Sequence, residues 1–156
     1  RREKYTSIEV INFIEKINPS LCVIDTLNFP YWNTTDYFSI VDAYNNIQFL
    51  FPHSGGIDIR EFIKLCLFLP NVWLDFSLTQ EYYHWSYDNR KGLVNEEIEF
   101  CLDHDKIKRK VLYGSDYPFF SQTLSLNKYL KHHNSKLFLI DNFISLCVKI
   151  DLSIKI

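Results

Sequence analysis

Two short stretches combine residue types that can do chemistry with a setting that should present them. Residues 111–119 read VLYGSDYPF, an apolar run that ends on a carboxylate. Val111, Leu112 and Tyr113 suit a pleated strand, Gly114 lets the backbone approach a neighbour closely, and Pro118 forbids the strand to continue. Asp116 therefore stands at the carboxyl end of a strand, which in parallel α/β architectures is where active sites are assembled. Read alone, the same aspartate equally suits the cap of the next turn or helix. Residues 51–56, FPHSGG, close a second apolar run with His53 set against a Gly-Gly turn. A hydrogen-bonded loop histidine is the plainer reading there. Two further runs end in the same way, LCVIDT with Asp25 and NVWLDFS with Asp75 and Ser77.

Those side chains need elements to hold them, and hydrophobic periodicity supplies an alternation of short β-rich runs and longer amphipathic stretches. A helix is expected over 7–17, with Ile8, Ile11, Phe13 and Ile14 on or near one face and a stop at Asn18-Pro19. LCVIDT, 21–26, is the first strand. Residues 34–46 open with Thr and Asp capping chemistry and carry Phe38, Val41 and Ile40 inward as a helix. Strands follow at 47–53 and 71–77, separated by a helix over 58–70 that ends near Pro70. A helix over 95–105 leads to the fourth strand, KVLYGSD, and two helices are expected around 122–132 and 136–148. A helix followed by four βα units predicts an α/β fold, one unit over 1–156 with no separate linker. Either a small open doubly wound sheet or half of a TIM-like (β/α)8 barrel would use that order. Asp25, His53, Asp75 with Ser77, and Asp116 occupy equivalent strand ends. A barrel would converge them on one mouth, whereas an open sheet would spread them along a line, and this favours the barrel.

Composition narrows the class further. The 156 residues are 47% hydrophobic and 23% charged, which suits one packed domain and is too balanced for disorder. A net charge of −2 with scattered basic residues gives no reason to expect nucleic acid or an anionic membrane as partner. Cys22, Cys66, Cys101 and Cys147 lie far apart in apolar surroundings without a CxxC, so they read as buried free thiols of a reducing, cytoplasmic compartment. No apolar run approaches the ~18 residues of a membrane span, and Arg1-Arg2 leads into no apolar signal segment. The chain contains no methionine, which raises the expectation that it is part of a longer protein.

Taken together, FPHSGG (51–56), PNVWLDFS (70–77) and VLYGSDYPF (111–119) resemble the carboxyl-terminal half of the amidohydrolase superfamily. The branch concerned, often called amidohydrolase-2, includes metal-dependent hydrolases and non-oxidative decarboxylases. It typically shows His-x-Gly-Gly at the end of the sixth barrel strand, Asn-Val-Tyr/Trp-x-Asp-x-Ser on the seventh and Gly-Ser-Asp-Tyr-Pro on the eighth, in the order found here. LIDNFISLC, 139–147, is similar to the closing helix of the family, with Asn142 ahead of apolar residues. The resemblance covers the chain from about residue 19 onward. It implies that Asp116 binds a divalent metal, Zn or Mn, and takes a proton from the attacking water. His53 would stand beside the metal and polarise or protonate the substrate, a task that suits imidazole because it exchanges a proton near neutral pH.

The pattern also departs from the family. No His-x-His stands before residue 20, and Asp25 occupies the place of a usual fifth-strand histidine. Its oxygen can still ligate Zn or Mn, giving a harder site than imidazole would, or the change marks a member that has lost its metal. The loop EYYHWSYDNR, 81–90, would overhang a barrel mouth, where Tyr82, Tyr83, His84 and Trp85 are candidates to hold a small-molecule substrate. Packing against neighbouring loops or another subunit is the competing use. His104, His132 and His133 read as solvated, and Lys106, Lys108, Arg109 and Lys110 as a surface charge cluster with no sign of a phosphate loop. The function expected is a metal-dependent hydrolase of C–N or C–O bonds, or a non-oxidative decarboxylase. A catalytically inactive half-barrel that binds a small molecule or a partner is the alternative. Four strands cut from a barrel leave two open edges, so the expected partner is an amino-terminal half or a second copy of the chain.

Overall fold

The computed structural model describes residues 7–26, 34–77, 91–115, 121–131 and 133–152. Helix α1 (Ser7–Ile17) carries Glu9 in its first turn and Lys16 in its last, both favourable to the helix dipole. It ends where Asn18 takes a left-handed φ of 46° and donates its N–H back to the Ile14 carbonyl at 2.7 Å, the stop that an asparagine supplies best after glycine. Strand β1 (Leu21–Val23) follows, then α2 (Thr34–Ala43), β2 (Gln48–Pro52), α3 (Ile59–Phe68), β3 (Val72–Asp75), α4 (Lys91–Asp103), β4 (Val111–Leu112), α5 (Gln122–Leu130), a π-helical turn Leu137–Asp141, and α6 (Asn142–Lys149). Elements and order agree with the sequence reading, and most of the predicted ends shift by one to four residues.

All four strands are parallel and lie in the order β1-β2-β3-β4. This order decides between the two architectures. A doubly wound sheet reverses its strand order at a switch point and so covers both faces with helices. Sequential strands with right-handed crossovers put every connecting helix on one face, as in a (β/α)8 barrel. Side chains alternate accordingly: Phe49, Phe51, Val72, Leu74 and Val111 face the helices and join Ile14, Ile40, Val41, Phe62, Cys66 and Cys101 in one core. Leu50, Trp73 and Leu112 face the other way, where Leu146 and Ile150 from the α6 end of the chain cover them.

Two predicted helix faces are corrected. In α2 the buried residues are Tyr37, Ile40 and Val41, while Phe38 points outward; the ring that packs is Tyr37, edge-on to Phe51 and Phe62. In α1 only Ile14 is fully buried, with Val10 and Ile11 beside it, and Ile8 and Phe13 are exposed. The helix carries apolar residues on two sides, so periodicity alone could not choose between them. Asn71 ties the layers together: its buried side-chain amide faces the carbonyls of Val41 and Tyr44 at 3.2 Å and Ile47 at 2.9 Å, fixing the end of α2 against the starts of β2 and β3. Asn142 does the same for α6, donating to the Lys108 and Val111 carbonyls at 2.7 and 2.6 Å. The cysteines are free thiols, three of them buried. No helix among the described residues is long and apolar enough to cross a membrane.

Candidate active site

The first strand pair carries Asp25 to the carboxyl end of the sheet. Past β1 the ladder continues, with Ile24 N–H donating to the Leu50 carbonyl at 3.0 Å and Thr26 N–H to the Pro52 carbonyl at 3.3 Å. On the neighbouring strand the chain turns sharply after Pro52. His53 and Ser54 adopt left-handed φ values of 66° and 45°, followed by Gly55 at 79° and Gly56 at 57°. Such backbone is costly for residues with a Cβ and persists where neighbours hold it. At Gly55 a Cβ would also overlap the Phe62 ring, so packing and conformation both require glycine.

Buried Thr26 supplies much of the hold. Its hydroxyl donates to the Pro52 carbonyl at 2.5 Å and accepts the Gly55 N–H at 2.8 Å, clamping the end of the first strand to the turn of the second. Ser54, also buried, donates its hydroxyl to the Asp75 carbonyl at 2.9 Å and so ties the turn to β3. Neither residue stands out in the sequence. Hydroxyls bridging strands leave no periodic signature, and the only clue is their place beside Asp25 and His53.

His53 is aimed by this framework. Its ring is buried and Nδ1 lies 2.7 Å from the Ser77 carbonyl. A carbonyl oxygen only accepts, so Nδ1 carries a proton and Nε2 is the nitrogen turned toward the strand-end mouth. The Ser77 hydroxyl, at 3.3 Å from the same nitrogen, is the weaker neighbour. Nε2 stands 3.7 Å from Asp25 Oδ1, whose side chain is 48% exposed at the strand-end mouth. Tyr37 lies close enough for Asp25 to matter to it: burial first, then the charges of Asp25 and Asp36, push its pKa up to about 12 and keep the phenol protonated.

Asp75 takes a different role from Asp25. Its Oδ1 accepts the Ser77 N–H at 2.6 Å, fixing the segment whose carbonyl holds His53. On its other side Gly114 lies against the carboxylate so closely that a Cβ there would overlap both carboxylate oxygens. The glycine of GSDYP is therefore what lets the fourth strand pass Asp75. Asp25, His53, Asp75 and Ser77 thus meet at one end of the sheet. Asp116 and the loop residues Tyr82, Tyr83, His84 and Trp85 lie outside the described residues. Among the described residues no group of three or more His, Cys, Asp or Glu side chains is placed to hold a metal ion.

A family model described as amidohydrolase matches residues 14–136, which span all four parallel strands and both the HSGG and GSDYP segments. The chain belongs to the amidohydrolase family. No curated protein and no solved structure matches it. Family membership agrees with the parallel α/β sheet.

Proposed function

We propose that this amidohydrolase is a metal-dependent enzyme that hydrolyses a C–N or C–O bond or decarboxylates a small acid without oxidation, with its chemistry at the His53–Asp25 mouth. The observation that carries this reading is the fixed orientation of His53. With Nδ1 committed to the Ser77 carbonyl, Nε2 faces the Asp25 carboxylate at 3.7 Å. A carboxylate at that distance favours positive charge at or beside Nε2, whether a proton on Nε2 or a divalent cation on Asp25.

The residues fit one side of a cation site. Asp25 offers a half-exposed carboxylate of the hard type that Zn or Mn accepts, and His53 flanks it. Asp116 is the second carboxylate the family pattern implies. Asp25 and Asp116 would hold the ion, which when bound supplies Lewis acidity toward a carbonyl or carboxylate of the substrate. His53 would give or take the proton at Nε2, with its orientation held by the Ser77 carbonyl at Nδ1. Tyr82, Tyr83, His84 and Trp85 would close over a small-molecule substrate and exclude water.

Elemental analysis of purified wild type, Asp116→Ala and Asp25→Ala tests this assignment. Bound Zn or Mn should be present in the wild type and fall in both variants, Asp116→Ala losing most. His53→Ala should retain the metal and lose turnover by roughly two or more orders of magnitude on an ester, amide or aromatic-acid substrate. Equal metal in wild type and Asp116→Ala would reject the role of Asp116.

A further inference from the structure

At the amino ends of the strands, away from His53, the structure opens a cleft of about 430 Å³ between the end of α3, the segment before β4, and α6. Its charged wall is made by Lys106, Arg109, Lys110 and Lys149. In sequence the first three belong to a surface cluster; the fold adds Lys149, which lies 5.2 Å from the centre of the Trp73 ring. The acid lining the cleft, Asp105, has its Oδ1 2.7 Å from Lys108 Nζ, and that lysine holds its carboxyl below the usual range. Lys110 uses two of its three N–H bonds to cap α3, on the Cys66 and Leu69 carbonyls at 3.0 and 2.9 Å, and is anchored there. Burial first, and the charges of Lys149 and Lys106 after it, hold its pKa below the ordinary lysine range. Four cations thus converge on a cleft whose carboxylate is already engaged by another lysine.

Beside these cations, part of the lining is apolar. Leu67, Phe68 and Pro70 form it, and Phe68 is 73% exposed although it closes a helix that otherwise buries most of its large apolar side chains. A planar ring laid on Phe68 would bring an attached anion to the basic wall. Inorganic phosphate alone would leave the aromatic wall unused, and a neutral ring would leave the charges unused. We propose that this cleft binds a phosphate ester that carries an aromatic ring, of the nucleoside polyphosphate class, at a site separate from the His53 mouth. The volume lies within the range of small-molecule pockets.

ATP without divalent cation is the probe, measured by equilibrium dialysis or calorimetry on the full chain at two salt concentrations. Saturable binding of one ATP per chain is expected, weakening as salt rises. Lys106→Ala and Arg109→Ala should each weaken it roughly tenfold, the loss expected for one charge-assisted contact. Phe68→Ala should weaken ATP while leaving inorganic tripolyphosphate unchanged, and His53→Ala should leave both unchanged. These side chains are exposed, apart from that of His53, and a melting curve of each variant checks that it folds. Absence of saturable ATP binding overturns the proposal. So does ATP binding that survives both Lys106→Ala and Arg109→Ala, or a Phe68→Ala variant that binds ATP as the wild type does.

Discussion

At the scale of single residues, the site depends on contacts too tight for any alternative side chain, and Gly114 is the clearest. Its backbone lies against the Asp75 carboxylate, whose Oδ1 in turn holds the Ser77 N–H, while the Ser77 carbonyl orients His53. A methyl group at 114 must displace either β4 or Asp75. Gly114→Ala should therefore destabilise the protein by roughly 1–3 kcal/mol, the usual cost of overpacking. If the overlap with Asp75 is the cause, Asp75→Ala should remove most of that penalty in the double variant. Urea titration of the four proteins measures the coupling, and additive losses would refute it. Asp25 and His53 are legible in the sequence as candidates because four apolar runs end on polar residues at equivalent places, although each alone also suits a cap or a turn. Thr26 and Ser54 are not, since a hydroxyl that bridges two strands is defined by three-dimensional proximity and carries no spacing of its own. The HSGG turn is half legible: its glycines announce tight backbone, but the left-handed φ of His53 and Ser54 does not follow from their types.

At the scale of elements, order and type follow from periodicity, whereas the faces of α1 and α2 do not. In α2 the choice between Phe38 and Tyr37 as the buried ring depends on Phe51 and Phe62, which lie on other elements. The helix layer against the sheet also buries ionisable groups in surroundings that disfavour their charged forms. Burial pushes the Cys66 thiol up to about 11 from 9.0, only partly opposed by Lys110; it pushes Cys101 up as well, and Tyr37 from 10.0 to about 12. Below pH 9 both folded and unfolded chains keep these protons, and stability is complete. Above pH 9 the unfolded chain releases protons that the folded chain retains, so unfolding becomes more favourable with each step in pH. The loss begins with the cysteines and extends through Tyr37 toward pH 12. Cys66 alone contributes roughly 2–3 kcal/mol across its window. Urea midpoints at pH 8, 9, 10 and 11 should fall steadily after pH 9. Tyr37→Phe should flatten the decline above pH 10, and Cys66→Ala should flatten it from pH 9 upward even if both variants start less stable. A midpoint unchanged from pH 8 to 10.5 would show that the thiols are not protected by the fold.

At the scale of the whole molecule, the barrel preference rests in sequence on four strand ends carrying polar groups, and the strand order β1-β2-β3-β4 supplies the independent reason to accept it. What sequence could not supply is the covering of the second face, because α6 reaches Trp73 and Leu112 through Leu146, a contact between segments far apart in the chain. That covering stops short of β1, where Val23 remains 56% exposed on the same face as Leu50 and Trp73. Among the described strands, β1 and β4 each pair on one side only. An unpaired backbone group costs roughly 1–3 kcal/mol when buried, and an apolar strand edge without inward charges or proline favours pairing with another chain. We propose that a complementing chain closes both edges. An amino-terminal half of the same barrel is favoured over a second copy, since the cation site proposed at Asp25 would need further ligands than these strands supply. Light scattering on purified material should then give a mass above the 18.7 kDa of this chain. Intact mass spectrometry separates the two cases, a co-purifying fragment of different mass marking the first and a single mass of 18.7 kDa in a dimer marking the second. A well-folded monomer of 18.7 kDa with no companion would contradict the proposal, and the exposed Val23 face would then be a stable surface of the isolated sheet.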